Sequence, residues 1–247
     1  MEKEKSIKPE ISIQKLSIAF GPKKVLIDFN LEINKGENLV ILGKSGCGKS
    51  VIIKCIIGLL VPDKGRIEVF GENILESSNE ELNNFRKRIG FLFQSGALYD
   101  SMNVKQNLLF PLRMNKEMEL NKKEKLVKEV LEKVGLSEAI NKMPTELSGG
   151  MRKRLGLARS LMLKPEIMLY DEPTTGLDPI TAKEISNLIL EIQKDQGTSS
   201  IIITHDMNCA RITGNRIVIL EEGKVSTEGS FKELEKSTQE EVKGFFE

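Results

Sequence analysis

The chain has no tryptophan, one histidine and three cysteines in 247 residues. A single histidine, His205, excludes a multi-histidine metal site and a His-Glu-x-x-His protease helix. Cys47, Cys55 and Cys209 contain no Cys-x-x-Cys pair and follow no regular spacing. That excludes a zinc ribbon and a disulfide framework, and it fits a reducing compartment. An excess of either charge is also missing: 37 Lys+Arg stand against 36 Asp+Glu, a net +1. A nucleic-acid partner would call for a basic excess or stripe, so none is expected. The most apolar run is Val51–Val61, interrupted by Lys54, and a bilayer-spanning helix needs about 20 apolar residues. The charged start, Met1–Pro9, lacks an apolar stretch, so no signal peptide is expected. Any membrane role is expected to pass through a partner chain.

What is present is an ordinary globular mixture, 39% hydrophobic and 30% charged, long enough for one large domain or a core with a subdomain. Val25–Ile33 alternates, with Ile27, Phe29, Leu31 and Ile33 on one face and Asp28, Asn30 and Glu32 on the other. This predicts a half-buried antiparallel strand. Ile11–Phe20 also reads as strand, but its apolar phase moves from odd to even positions, which predicts a bulge near Gln14-Lys15. Short apolar strands are predicted at Asn38–Leu42, Ile89–Phe93, Ile167–Tyr170, Ser200–Ile203 and Ile217–Leu220. They alternate with helical patterns at Lys49–Leu59 and Thr181–Lys194, the signal of a parallel sheet wrapped by helices. Asn103–Leu163 shows no strand pattern. Leu126, Val127, Val130, Leu131 and Val134 make a helix face that Gly135 ends. Val104, Leu108, Leu109 and Leu112 read as core, and Ser226–Glu247 as a polar, helical tail.

Gly43, Lys44, Ser45, Gly46, Cys47, Gly48, Lys49 and Ser50 match G-x-x-x-x-G-K-[ST] after a predicted strand and before a predicted helix. Glycines let the backbone turn successive N–H groups toward a phosphate, and the helix N-terminus adds its dipole. Lys49 would neutralise the β- and γ-phosphates of ATP, and the Ser50 hydroxyl would hold Mg²⁺. Cys47 reads first as a small residue filling a tight turn. Redox sensitivity is the alternative, because oriented N–H groups can stabilise a thiolate. Downstream, Ile167–Tyr170 runs into Asp171 and Glu172. Paired acids at the end of a buried strand are costly without a cation or proton. Asp171 is placed to hold Mg²⁺, and Glu172 to act as general base on a water.

At Leu147-Ser-Gly-Gly-Met151 the sequence resembles the nucleotide-binding subunit of an ABC transporter, over nearly its whole length. The family's motifs occur in order: Walker A at Gly43–Ser50, the Q-loop at Gln94, the signature at Leu147–Met151, Walker B at Ile167–Glu172, the D-loop at Gly176–Asp178 and the H-loop at His205. The resemblance implies an α/β fold, a P-loop NTPase (RecA-like) core with an N-terminal antiparallel β subdomain and an inserted α-helical subdomain. Residues 1–94 and 162–247 would form the core with the β subdomain, and 95–161 the helical signature subdomain. It also implies that Phe20 stacks on adenine, and that Gln94 senses Mg²⁺ and the γ-phosphate. Ser148, Gly149 and Gly150 would clamp ATP held by a second copy, head to tail. Asp178 would organise the opposite site, and His205 would bond the γ-phosphate. Met151 departs from the family's usual Gln, and a thioether supplies no amide hydrogen bond. Arg152, Lys153, Arg154 and Arg159 read as a solvated helix face paired with local acids, the alternative being electrostatic support for the partner's ATP.

The Q-loop region Phe93–Val104, the Met of the signature and Gly176–Ala182 resemble the Mla/Mce-type lipid transport ATPases. This implies ATP-driven phospholipid movement between membranes, at the cytoplasmic face of the inner membrane. The implied partners are permease subunits and an Mce-domain lipid-binding protein. An importer of amino acids, metals or another small solute is the competing reading. A DNA-repair ABC ATPase would insert a long coiled coil or zinc modules between Walker A and signature, where this chain has 96 residues (51–146) and no zinc ligands.

Overall fold

A computed structural model of the protein describes residues 8–115 and 117–246. Residues 1–7, on which most of the signal-peptide reading falls, lie outside the described residues, as do 116 and 247. The chain begins as an antiparallel sheet. Strand β1 (Ile11–Phe20) pairs with β2 (Lys23–Ile33), Ile11 facing Ile33. Its other neighbour is β4 (Lys64–Val69), which pairs onward with the two-residue β5 (Glu72–Asn73). The bulge expected near Gln14-Lys15 is present: Lys15 has φ 48°, and the register shifts between Ile13 and Leu16. A second irregularity was not legible. Asp28 takes φ 47°, so Leu26 rather than Ile27 joins Phe29, Leu31 and Ile33 in the core. Phe20, at the strand's end, is 49% exposed.

The second sheet runs β10-β9-β3-β8-β7-β6. Strands β3 (Asn38–Leu42), β6 (Ile89–Leu92), β7 (Ile167–Asp171), β8 (Ser199–Ile203) and β9 (Arg216–Glu221) are mutually parallel, and β10 (Lys224–Gly229) adds an antiparallel edge. Its parallel strands are near-continuous apolar runs because both faces are covered. Leu39, Ile41, Ile167, Leu169, Ile201 and Ile203 face α1 (Lys49–Ile56) and the antiparallel sheet, in a cluster that Phe85 of α2 (Asn79–Arg86) joins. Val40, Leu42, Met168, Tyr170 and Ile202 face the opposite cluster, where the helices from 104 to 192 contribute.

Between β6 and β7 the described residues form helices and turns with no strand, as expected: α3 (Val104–Leu109), α4 (Leu120–Lys133) and α5 (Gly149–Leu161) carry the segment. Val104, Leu108 and Leu112 are buried, as are Val127, Val130, Leu131 and Val134. These side chains share one cluster with the sheet face, so this helical segment does not own a separate core. Then α6 (Pro179–Gln196) and α7 (Met207–Thr213) flank β8. Sequence periodicity missed β4 and β10. In β4 only Ile67 and Val69 are buried, and β10 is an edge strand with no buried residue, so neither shows a sustained apolar alternation. The tail read from Ser226 is therefore strand to Gly229, and helical only beyond, in α8 (Phe231–Glu235) and α9 (Glu240–Phe246).

Candidate functional site

The carboxyl ends of β3, β6, β7 and β8 converge on one edge of the parallel sheet, the usual location of ligand crevices in open α/β folds. β3 delivers the loop Gly43–Gly48, and α1 starts at Lys49. Gly48 is the helix N-cap with φ 110°, and a Cβ there would meet Val25 Cγ1 at 3.0 Å and the Val25 carbonyl oxygen at 3.1 Å. Only glycine fits that turn. The Lys49 ammonium, on a residue only 7% exposed, donates to the carbonyls of Gly43 at 2.6 Å and Lys44 at 3.1 Å, and lies 4.0 Å from Cys47 Sγ. Cys47 is the small turn-filler of the first reading, since a Cβ on Gly43 would meet its sulfur at 2.6 Å.

The adjacent hydroxyl of Ser50 donates to Asp171 Oδ1 at 2.9 Å, joining the start of α1 to the end of β7. Burial pushes the Asp171 carboxyl above the usual carboxylate range. The Ser50 hydrogen bond acts against this and the Glu172 charge reinforces it. A hydroxyl and a carboxylate side by side are hard oxygen donors of the kind Mg²⁺ takes, with substrate phosphates and water completing its shell. Among the described residues no group of three or more His, Cys, Asp or Glu gathers to hold a metal unaided.

Glu172, just past β7, has φ 51°, a left-handed conformation rare for a non-glycine residue. Its Oε2 accepts from Thr175 Oγ1 at 2.9 Å and lies 2.8 Å from His205 Nδ1. Phe20, Ser45, Gly46, Gly48, Lys49, Ser50, Gln94, Glu172 and His205 line one cleft of about 450 Å³. A larger cleft of about 660 Å³ between α6 and α7 also touches His205, but none of the phosphate loop lines it.

Gly43, Lys44, Cys47 and Asp171 do not line this cleft, Asp171 being joined to it through Ser50, and two further predicted groups stand apart from it. Ser148 caps α5 by accepting from the Met151 N–H at 3.2 Å, and Gly150 packs on α6, where a Cβ would meet Thr181 Cγ2 at 2.5 Å. Asp178 caps α6 through the N–H groups of Ile180 and Thr181 and the Thr181 hydroxyl, which hold its carboxyl below the usual range. Within one chain, Ser148, Gly149, Gly150 and Asp178 line no part of the cleft holding the phosphate loop. The Met151 side chain packs against the apolar cluster.

The family model described as ABC transporter matches residues 26–175, the stretch that carries the phosphate loop, Gln94, Ser148–Gly150 and the acid pair. This chain belongs to the ABC transporter family. The cassette is similar to the probable ribonucleotide transport ATP-binding protein mkl of Mycobacterium leprae, 43% identical over 85% of this chain and 60% of that one. It thus spans somewhat over half the length of that relative. It is also similar to the intermembrane phospholipid transport system ATP-binding protein MlaF of Haemophilus influenzae, 38% identical over 91% of this chain and 85% of that one. Among solved structures it superposes on the dimeric post-hydrolysis state of the ATP-binding cassette MJ0796 bound to ADP and Pi. The TM-score is 0.82 and the identity 30%, over 90% of this chain and 98% of that one.

Sequence reasoning missed Thr175, Lys153 and Arg159 as parts of the cassette's site. Lys153 and Arg159 are not a solvated face paired with acids. Lys153 donates to the carbonyls of Gln94 and Glu172, and Arg159 to those of Gly96 and Ala97. Arg152 is exposed as expected, and Arg154 pairs with Glu184 at 2.7 Å while also donating to the Val134 carbonyl. The signal for Lys153 was in the spacing: Gly150, Lys153, Leu157 and Leu161 share one buried helix face.

Proposed function

We propose that the cassette binds and hydrolyses ATP with Mg²⁺ as one of two head-to-tail copies, and so drives a membrane permease that moves phospholipid between membranes. The observation that carries the hydrolytic reading is the convergence of Glu172, His205, Lys49 and Gln94 on one cleft. In this reading the loop N–H groups and Lys49 hold the phosphates, and Phe20 packs on the base. Ser50, Asp171 and Gln94 are the groups that would hold Mg²⁺, which when bound offsets phosphate charge. Glu172 takes the proton of the attacking water with its carboxylate fixed by Thr175, and His205, which lies against Glu172 in the single chain, turns to the γ-phosphate once ATP is present. Ser148, Gly149, Gly150 and Asp178 serve the partner copy's ATP, which accounts for their distance from their own cleft. Residues 1–94 with 162–247 act as the catalytic core with its β subdomain, and 95–161 as the signature subdomain that turns against it.

The phospholipid cargo is supported by the likeness to MlaF and the Q-loop and signature sequences. The small-solute importer reading is favoured by the ribonucleotide cargo in the name of the mycobacterial relative, and by similarity to the methionine import ATP-binding protein MetN of Clostridium tetani, 37% identical over 96% of this chain and 74% of that one. Among the described residues no helix is long and apolar enough to cross a membrane. We therefore assign membrane attachment, at the cytoplasmic face, to the permease. The test has two arms. Glu172→Gln is expected to lower turnover by about 10²–10⁴-fold, the range for a general base, while ATP still binds and traps a dimer in size-exclusion chromatography. Wild-type turnover refutes the base. Purification of the native complex is expected to bring an Mce-domain subunit and phospholipid. A small-solute permease without such a subunit would sink the lipid reading.

A further inference from the structure

We propose that Lys153 is a positioning residue: its buried ammonium ties the signature helix to the backbone of both Gln94 and Glu172, and so sets the base and the Q-loop together. The proposal rests on the reading of Glu172 as base. Lys153 is 7% exposed and lies one turn into α5. Its Nζ donates to the Gln94 carbonyl and, at 3.0 Å, to the Glu172 carbonyl.

The register of the sheet explains why one cation reaches both. β6 and β7 are parallel neighbours with Leu92 opposite Tyr170. Gln94 and Glu172 each lie two residues beyond that matched pair, where the ladder has ended. The Gln94 carbonyl there needs a donor from elsewhere, and the Glu172 carbonyl has a long bond, 3.4 Å, from the Thr175 N–H; the ammonium reaches both at the gap between the two strand ends. Burial lowers the lysine's pKa, and the carboxylates of Glu172 and Asp171 act in the opposite sense, so the charge sits among acids that favour it.

A second tie runs in parallel. Arg159, six residues beyond Lys153 on α5, donates to the carbonyls of Ala97 at 2.5 Å and Gly96 at 3.3 Å. Between them Gly156 lets the helix backbone close on the Q-loop: a Cβ there would meet the Gly96 carbonyl oxygen at 3.1 Å. Arg159 and Gly156 hold only the loop after Gln94, whereas Lys153 also holds the Glu172 backbone. Any tilt of α5, which Ser148 caps and Gly149 and Gly150 begin, is therefore passed to the base through one side chain. Glu172 sits at a left-handed φ that an unsupported glutamate would leave.

Lys153→Met keeps the length and the buried apolar stem and removes the donors. Its kcat is expected to fall about 100-fold, the cost of a misplacement of roughly 1 Å at a reacting group. Affinity for a fluorescent ATP analogue with Mg²⁺ is expected to stay within about twofold, the pattern of a loss felt only in the transition state. Lys153→Arg, which keeps charge and donors, is expected to retain kcat within about tenfold of wild type. In the Glu172→Gln background, Lys153→Met is expected still to form the ATP-dependent dimer. Wild-type kcat in Lys153→Met overturns the proposal. So does loss of ATP binding or of the trapped dimer, which would make Lys153 a residue of the fold alone. Folded Lys153→Arg as inactive as the methionine variant overturns it too. Failure of the base reading is separate, since it appears as turnover in Glu172→Gln alone.

Discussion

Asn107 is fully buried in α3, yet it is polar, and it offers the sharpest test of how the segment after the Q-loop is held. Its Oδ1 accepts from the Tyr99 N–H at 2.9 Å, and its Nδ2 donates to the carbonyls of Tyr99, Met102 and Asn103 at 3.1, 2.8 and 3.1 Å. Asn107→Ala does not orphan all four groups. The Tyr99 carbonyl keeps the Met102 N–H, and the Asn103 carbonyl keeps the N–H of residue 107. The Tyr99 N–H and the Met102 carbonyl lose their partner. Each such group costs ~1–3 kcal/mol, and alanine returns ~0.7 kcal/mol of helix propensity. The net is ~1–5 kcal/mol, centred near 3, which for a protein of this size lowers Tm by ~6–12 °C. Calorimetry without nucleotide reads this directly. Asn107→Asp separates hydrogen bonding from volume: it keeps the acceptor but sets a carboxylate against carbonyl oxygens. Its folded pKa is thereby raised above the ordinary ~3.9, so its deficit is smallest in acid, where the acid's one O–H still donates, and grows as pH rises through that value. A Tm within ~2 °C of wild type for Asn107→Ala would mean that water replaces the side chain, and the accounting would be wrong.

Three further outcomes concern the cysteines and Asp171. Burial pushes the thiols of Cys55 and Cys209 up to about 11, and both are fully enclosed, whereas Cys47 is partly exposed in the phosphate loop. Maleimide at neutral pH is expected to label Cys47 alone in the native cassette, with Mg-ATP protecting it and denaturant exposing the rest; a failure of ATP to protect would remove Cys47 from the nucleotide site. Asp171→Asn is expected to raise the Tm of the nucleotide-free cassette at pH 7, because burial disfavours the charged carboxyl. The folded pKa is raised, so the wild type loses stability as pH rises, and the difference should shrink toward pH ~4. The same variant should lose the added protection that Mg²⁺ gives to ATP binding, read by the shift in Tm on adding Mg²⁺.

The parallel sheet was legible because its strands are buried on both faces and read as uninterrupted apolar runs, from Asn38–Leu42 to Ile217–Leu220. The phosphate loop was legible because its glycines are demanded by backbone geometry, as Gly48 demonstrates. Two kinds of information were hidden. One is phase: the left-handed Asp28 exchanges Ile27 for Leu26 at the core, and no composition rule marks an aspartate that will bulge a strand. The other is the buried cation. Lys153 stands among Arg152 and Arg154 and is read with them as surface, although its helical phase groups it with Gly150, Leu157 and Leu161. Helical phase should have outweighed charge there, because what the lysine satisfies is main-chain oxygen, which sequence does not display.

In a single chain the polar groups of the cleft are already engaged. Lys49 donates to the carbonyls of its own loop, Ser50 to Asp171, and Glu172 is held by Thr175 and His205. A nucleotide entering this cleft exchanges one set of hydrogen bonds for another, and the net gain from such an exchange is ~1 kcal/mol per bond. What the chain leaves unused lies elsewhere: the N-terminus of α5, with Ser148 exposed at its cap, faces no phosphate of its own. In the proposed head-to-tail pair, the favourable potential of that helix end would serve a second copy's nucleotide. On this argument the occupied site gains its decisive contacts only when two chains close, and the signature helix that closes them carries Lys153 to the backbone of the base. Closure and alignment of Glu172 then become one event, so that an unpaired cassette can hold ATP while hydrolysing it slowly.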